Sequence, residues 1–186
     1  PDDVYYFADS GNTDSSSMFT ALRADNGANP KLAELQAVPD QIMADGLTWG
    51  YTNSVAVPGV RVNANDPYNS HRRAEGAATD SVDYAFALPA GTYDVFVGFY
   101  DPWGYTRKAN VKATMNGQTL ASLSGHEYKQ AKSIAMLNDV QVSEDGTVLI
   151  QTGPGTSGSN TAIMVSFIII TGRDHGDTTK PVITVN

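Results

Sequence analysis

The chain has 186 residues, of which 41% are hydrophobic and none is cysteine, and its 12 Lys and Arg against 20 Asp and Glu give a formal net charge of −8. The lack of cysteine excludes the small disulfide-stapled folds, and a chain of this length can bury enough surface to form one domain without disulfides. The acidic balance and scattered cations predict no nucleic-acid partner, and the longest apolar run, 162–170, is too short for a membrane-spanning helix, so no membrane insertion is predicted.

The first third of the chain predicts one strand and one short helix. Residues 4–8 are β-branched and aromatic and precede the turn-favouring residues 9–12, which predicts a strand. Asn29 suits an N-cap and Pro30 suits the first position of a helix. Residues 31–36 are therefore predicted to form a short helix that ends before Pro39.

The middle of the chain alternates at a period of two, which predicts two half-buried strands at 82–88 and 93–99. The residues on the buried faces are predicted to be Val82, Tyr84, Phe86 and Leu88, followed by Tyr93, Val95, Val97 and Phe99. Pro89 and Gly91 favour a tight turn between the two strands. We therefore expect an antiparallel hairpin.

A second hairpin is predicted at Asn116 and Gly117, because this dipeptide suits a two-residue turn. Asp145 and Gly146 mark a further turn between strands at 140–142 and 148–151. The run 163–170 is apolar on both faces, as in a central strand that is covered on both sides. Many short strands and little helix predict an all-β fold, a jelly-roll sandwich, rather than a βαβ fold.

Residues 177–186 differ from the rest, because a short polar linker with Pro181 precedes a new strand pattern. This junction resembles the opening of a bacterial immunoglobulin-like repeat. We therefore divide the chain into a β-sandwich at 1–176 and a linker with the start of a following domain at 177–186. The resemblance implies a longer modular exported protein, in which other domains of the same chain are partners.

Two segments in which Gly or Pro accompanies aromatic residues are candidate ligand-binding loops. A sugar ring has apolar C–H faces and a rim of hydroxyl groups, so its receptors combine aromatic rings with fixed polar groups. The candidate rings are Trp49, Tyr51, Trp103 and Tyr105, and the candidate polar groups are Asn69, Arg72, Asp101 and Asn160. The alternative is that one or both tryptophans cover the end of the hydrophobic core.

The polar segment 66–76 has two interpretations. It either contacts the ligand or forms a network that fixes a long loop, in which Arg72 or Arg73 pairs with Glu75 or Asp101. His71 is predicted to be a hydrogen-bonded loop residue rather than a catalyst.

Several motifs of the chain occur together in one known family. They are a Tyr-x-x-x-Arg loop at Tyr68 and Arg72, a Tyr-x-Phe strand at Tyr84 and Phe86, and Pro-x-Gly-x-Tyr at 89–93. An acidic residue after a Phe-containing strand, Asp101, an arginine, Arg107, and an Asn-Gly hairpin at 116–117 complete the set. With these motifs, and with a similar segment at 160–163, the central third of the chain resembles the malectin-like, galactose-binding-like carbohydrate-binding modules. The family often has Glu where this chain has Asp101, and residues 9–49 have no counterpart in it.

The resemblance implies a galactose-binding-like jelly roll with its ligand site among the loops that carry Tyr68, Tyr100, Asp101, Trp103 and the segment before Asn160. It also implies a non-catalytic module that targets a secreted or surface-attached bacterial multidomain protein, expected to be a glycoside hydrolase, to glycans. The alternative function is a structural or adhesive spacer that binds protein or no ligand.

No cofactor is predicted to be required, and the domain itself is predicted not to be an enzyme. The oxygen-rich turn of Asp9, Ser10, Asn12 and Asp14 is interpreted as a capped turn, with a structural calcium site as the alternative. The sequence lacks the motifs of serine hydrolases. Glu75 and Asp101 could form the carboxylate pair of a glycosidase, but shallow sandwich loops rarely form the enclosed cleft that such a pair needs.

Overall fold

The computed structural model describes residues 3–11, 38–53, 56–58, 68, 70–74, 80–129, 132–155 and 162–173. These residues form thirteen β-strands and no α-helix. The strands are β1 Asp3–Asp9, β2 Val38–Pro39, β3 Trp49–Tyr51, β4 Ala56–Pro58, β5 Arg72–Ala74, β6 Val82–Leu88, β7 Gly91–Phe99, β8 Arg107–Met115, β9 Gln118–Tyr128, β10 Ser133–Val142, β11 Gly146–Pro154, β12 Ile163–Val165 and β13 Phe167–Gly172.

The strands form three sheets. Sheet 1 has the order β10-β7-β13-β1-β2, sheet 2 has the order β3-β6-β11-β8-β9, and sheet 3 has the order β12-β5-β4. The paired strands are antiparallel except for β1 and β2. The prediction of an all-β sandwich is therefore confirmed. The predicted helix at 31–36 and the predicted linker at 177–186 lie outside the described residues.

The main core lies between sheets 1 and 2. The alternating apolar residues of β6 and β7 are all buried in one hydrophobic cluster, as their spacing predicted. A second cluster covers the opposite face of sheet 1 and includes Phe7, Phe96, Phe167 and Ile169. Sheet 1 is therefore apolar on both faces, which is the pattern of strands that are covered on both sides.

The prediction that β6 and β7 form a hairpin is wrong, because the two strands belong to different sheets. β6 pairs with β3 and β11 in sheet 2, whereas β7 pairs with β10 and β13 in sheet 1. The turn at Pro89 and Gly91 therefore carries the chain across the core from one sheet to the other. Local turn residues specify a reversal of the chain, but they do not specify which strand becomes the hydrogen-bonded neighbour.

The predicted hairpin at Asn116 and Gly117 is confirmed. β8 pairs with β9, and Met115 lies opposite Gln118. Asn116 and Gly117 have φ values of 51° and 77°, as a type I′ turn requires at both of its central residues.

The predicted strand at 163–170 is divided at Ser166 into β12 and β13, and all residues of both strands are buried. β13 lies between β7 and β1 and is central, as predicted. Across the described ranges, no helix has the length and apolar character needed to cross a membrane.

β7 connects the two ends of the sandwich. Near its start, Tyr93 pairs with Gly172, and Gly172 also pairs with Asp3. Its last residue, Phe99, precedes the segment 100–106, which joins β7 to β8. At about 3.3 Å per residue, the six steps along β7 from Tyr93 to Phe99 span about 20 Å. We call the end that holds segment 100–106 the loop end.

Candidate functional site

Asp101 fixes the backbone of the segment that follows β7. Its carboxylate accepts the backbone N–H of Trp103 at 2.7 Å and that of Tyr105 at 3.1 Å. Arg107, the first residue of β8, donates its Nε–H to the same carboxylate at 2.8 Å. Asp101 is fully buried and Arg107 is 7% exposed, so the two charges are compensated inside the protein. The segment is thereby held to the start of β8.

Trp103 and Tyr105 extend from this fixed segment into solvent. Their side chains are 46% and 50% exposed. Gly104, between them, has a φ of 84°, a left-handed conformation that glycine adopts without steric cost. We call the exposed rings of Trp103 and Tyr105 the aromatic surface. Both residues were predicted to lie in a candidate ligand-binding loop, and the structure places them in an exposed one.

Two guanidinium groups lie against the aromatic surface. The Cζ atom of Arg73 is 5.4 Å from the ring centroid of Trp103, and that of Arg107 is 5.5 Å from the ring centroid of Tyr105. Both distances are within the range of cation–π interactions. Arg73 was not predicted to be a binding residue, and Arg107 was predicted only as part of the family motif.

His71 packs against the edge of Trp103, with ring centroids 5.7 Å apart and planes at 73°. The residue is 1% exposed, and its Nε2 atom has no hydrogen-bond partner among the described residues. Burial, with a further contribution from the positive charge of Arg73, lowers the pKa of His71 to about 4. His71 is therefore neutral at pH 7.

Arg72 belongs to a separate buried network. It donates to the carboxylate of Asp40 from Nη2 at 2.7 Å and from Nε at 2.9 Å, and its Cζ atom lies 3.5 Å from the ring centroid of Tyr51. Tyr84 donates to the other oxygen of Asp40 at 2.8 Å. An Arg–carboxylate network therefore exists, as one interpretation of segment 66–76 predicted. Its acceptor is Asp40, and no motif in the sequence pointed to this residue.

Four other candidate aromatic residues are not on the aromatic surface, and one of them is Tyr51 of β3, which lies against Arg72. Trp49 lies in β3 rather than in a loop, is 8% exposed, and stacks on Phe86 with ring planes at 8°. Its burial favours the interpretation that it covers the core. Tyr68 is 1% exposed and Tyr100 is half-buried, and both pack in the second cluster of sheet 1.

Asn69, Glu75 and Asn160 lie outside the described residues, so their predicted roles stay predictions. The same holds for Asn12 and Asp14 of the proposed calcium turn. Of its other two members, Asp9 accepts a hydrogen bond from Ser70 at 3.0 Å, and Ser10 Oγ lies 2.7 Å from Tyr84 Oη. In the part of the chain that the structure describes, no group of three or more His, Asp or Glu side chains is placed to hold a metal ion.

Two surface cavities lie elsewhere on the domain. One of about 410 Å³ is bordered by β8, β9 and β11, and one of about 400 Å³ lies beside Tyr6 and Pro89. Neither cavity is lined by Trp103 or Tyr105. The aromatic surface is therefore not part of either cavity.

Comparison with known proteins supports the fold. No protein-family model matches the chain, and no curated protein matches it. Among solved structures, the ANX2 ectodomain from Arabidopsis thaliana matches with a TM-score of 0.63 and 12% identity over 92% of this chain. A chain in the structure of the plant peptide RALF23 in complex with FER and LLG2 matches with a TM-score of 0.54 and 16% identity over 94% of this chain.

A Bacteroides uniformis β-glucuronidase matches with a TM-score of 0.51 and 14% identity over 91% of this chain. The chain spans 50% of each of the two plant protein chains and 18% of the β-glucuronidase chain. At these identities the similarity is one of fold. It agrees with the β-sandwich architecture described above.

Proposed function

We propose that this domain is a non-catalytic carbohydrate-binding module that binds glycans on its aromatic surface. The observation that carries the proposal is the pair of half-exposed rings, Trp103 and Tyr105, on a backbone that the buried Asp101 holds in place. Binding residues concentrate on loops that a rigid scaffold positions, and aromatic rings supply a large apolar contact area to a ligand.

The physical match is with the face of a sugar ring. The aromatic rings offer an apolar surface to the sugar C–H groups, and the nearby side chains offer hydrogen bonds to its rim. Because two half-exposed rings offer a ligand little area to bury, we expect dissociation constants from about micromolar to millimolar. Repeated ligand sites along a polysaccharide would raise the overall avidity.

We further propose that the domain serves an extracellular multidomain protein, for which a glycoside hydrolase is the leading candidate. In its support, a similar fold occurs in the ectodomain of ANX2 and within the β-glucuronidase chain. A binding role rather than catalysis fits Asp101, whose carboxylate is buried and paired with Arg107 and is therefore not exposed to a substrate.

The test is a glycan-array screen of the domain, with and without EDTA, followed by calorimetry on each hit. Selective binding that is lost in Trp103→Ala and retained in Met136→Ala would support the proposal. Met136 is a suitable control because it is also exposed, at 42%, but lies on β10. Binding that is unaffected by Trp103→Ala would move the site elsewhere, and loss of binding in EDTA would indicate a calcium requirement.

The second candidate function is an adhesive or spacer domain that binds protein. One of the similar chains occurs in a complex with the peptide RALF23, which favours a protein partner for this fold as well. The absence of binding to every glycan on the array, together with retained folding, would favour this second function over the first.

A further inference from the structure

The outer face of sheet 2, which is turned away from the main core, contains a depression. It is the cavity of about 410 Å³ that β8, β9 and β11 border. Gly153 of β11 lies in its lining and pairs with Asn110 of β8. Along β11 the side chains alternate between the two faces, so Thr152 is buried while Gln151 and Gly153 face outward. Because Gly153 has no side chain, its place on the outer face is left open.

A β-bulge lies on one side of the depression. The register between β8 and β9 shifts between Ala109 and Val111, and Gly125 of β9 has a φ of 70°. The side-chain oxygen of Asn110 accepts the backbone N–H of Gly125 at 2.9 Å. A bulge bends its own strand and often occurs beside functional sites. Here the bend of β9 lies next to the cavity, and Asn110 holds it in place.

The other side of the depression is also fixed by hydrogen bonds. Ser81, which precedes β6, donates from Oγ to Asp83 Oδ1 at 2.6 Å. Gln151 donates from Nε2 to Asp83 Oδ2 at 3.3 Å. Asn53 donates to the backbone carbonyl of Ser81. The polar lining is therefore positioned before a ligand arrives, which lowers the ordering cost of binding.

The lining keeps further hydrogen-bonding capacity. Gln151 pairs with Asp83 on one side and with Lys112 on the other. Lys112 in turn pairs with Ser122, so polar side chains form a row across the face. The bond to Asp83 uses only the amide nitrogen of Gln151, which leaves its Oε1 as an acceptor. The exposed Lys112 contributes N–H donors, and the exposed hydroxyls of Ser122 and Ser124 can both donate and accept.

We infer that this cavity is a second saccharide site, separate from the aromatic surface, which binds a neutral sugar chain by hydrogen bonds. Sugar hydroxyls both donate and accept, which matches a polar lining that consists mostly of uncharged amides and hydroxyls. None of the described residues that line the cavity is aromatic, so the lining suits the hydroxyl rim of a sugar rather than its apolar face. Its volume lies in the range of small-ligand sites, about 300–1,000 Å³.

This inference goes beyond the proposed function, because no residue of the aromatic surface takes part in it. The experiment locates the bound ligand by NMR. The isotope-labelled domain is titrated with neutral gluco-, xylo-, manno- and galacto-oligosaccharides. We expect at least one of them to shift the backbone amide signals of 110–112, 122–124 and 151–153. These shifts should persist in Trp103→Ala, because Trp103 does not line the cavity.

The variant Gly153→Val tests the cavity itself. A Cβ atom on Gly153 would make ordinary contacts, at 3.6 Å from the carbonyl oxygen of Asp80 and 3.7 Å from the Cβ atom of Ser81. Valine also favours strands, so the variant should fold. Its methyl groups would occupy the depression and clash with the ligand, which should weaken binding at this site at least about tenfold.

A second variant tests the polar lining. Lys112→Met removes the ammonium donors but keeps most of the side chain, and it should weaken binding about fivefold. The matched control is Thr119→Ile, which adds bulk at an exposed position of β9 outside the described lining and should leave binding unchanged. Circular dichroism would verify that each variant is folded.

The outcomes separate the two sites. Shifts at 151–153 that persist in Trp103→Ala and are lost in Gly153→Val would establish the second site, whether or not the aromatic surface also binds. Shifts confined to 103–105 would overturn this inference and leave the proposed function intact. The inference would equally be overturned if no oligosaccharide shifts the signals of 151–153, or if Gly153→Val binds as tightly as the wild type.

Discussion

Asp101 and Arg107 form an ion pair at 2.8 Å in which the two side chains are 0% and 8% exposed. Arg107 also donates from Nη1 to the backbone carbonyl of Ala162 at 3.0 Å. The pair thus ties the segment after β7 to β8 and to the residue that precedes β12. Because the same carboxylate holds the backbone of Trp103 and Tyr105, the stability of the domain and the shape of the aromatic surface depend on one side chain.

Asp101→Asn should destabilise the domain by about 3 kcal/mol, because it leaves the charge of Arg107 buried without its partner. Urea unfolding measures this change. The double variant Asp101→Asn with Arg107→Gln should recover part of the loss, since the unpaired charge is then removed. If the single variant is as stable as the wild type, the ion pair does not hold this segment.

Substitution of the two tryptophans should lower the free energy of unfolding by very different amounts. Trp103→Ala should change the free energy of unfolding by only about 0.5 kcal/mol, because the side chain is half-exposed. Trp49→Ala should cost about 3–5 kcal/mol, because it removes a buried ring that stacks on Phe86. Acrylamide should quench the fluorescence of Trp49→Phe, in which Trp103 remains, more strongly than that of Trp103→Phe. Similar quenching of the two variants would contradict the assigned burial.

Gly11→Ala should destabilise the domain more than Gly46→Ala. Both glycines have positive φ, 75° and 82°, so either substitution costs about 1 kcal/mol in backbone strain. A Cβ atom on Gly11 would also overlap the backbone carbonyl of His71, whereas one on Gly46 would meet no atom within 4 Å. The overlap should add about 2 kcal/mol, measurable by thermal unfolding of the two variants. Equal losses would show that Gly11 and the backbone of His71 are not in close contact.

The lowered pKa of His71 predicts a dependence of stability on pH. Its pKa is about 4 in the folded protein and near 6.5 in the unfolded chain, so the unfolded chain binds a proton first as the pH falls. Above pH 6.5 His71 is neutral in both states, so its lowered pKa leaves the free energy of unfolding unchanged. As the pH falls from 6.5 to 4, the free energy of unfolding decreases by up to about 3 kcal/mol.

The measurement for His71 is urea unfolding at pH 7 and near pH 4.5 for the wild type and for His71→Gln. The variant should lose less stability between these pH values than the wild type. Burial also lowers the pKa of His126, which lies on β9 and is only half-buried, so His126→Gln should reduce the pH dependence less than His71→Gln does. An identical pH dependence in the wild type and His71→Gln would show that His71 does not titrate as assigned.

Much of the fold could be predicted because the relevant signals are local. The period of two identified the residues of β6 and β7 that face the main core, and Asn116 with Gly117 identified a hairpin whose turn needs positive φ. The prediction that β7 is half-buried was wrong, because its other face, with Phe96, is buried in the second cluster. The pairing of β7 with β10 and β13 could not be predicted in the same way. It depends on strands that are distant in sequence, while Pro89 and Gly91 are compatible with a hairpin or with a crossing between sheets.

The candidate site shows the same division. The exposed Trp103 and Tyr105 could be predicted from an aromatic loop sequence with Gly and Pro. The role of Asp40 could not, because its partners Arg72 and Tyr84 are 32 and 44 residues away and no short motif connects them. Trp49 was assigned to a loop on the same pattern of Gly and aromatics, but its pairing with Phe86 across β3 and β6 places it in the core.

The pairing of Asp3 with Gly172, and of Gly172 with Tyr93, has a practical consequence for attachment. A tether fused to either side of the described fold leaves it from the end opposite the loop end, and β7 separates the two ends by about 20 Å. An array of such domains fixed to a bead or a sensor through that end would present every aromatic surface outward. Immobilised in this way, even weakly binding copies should act together on one polymer chain.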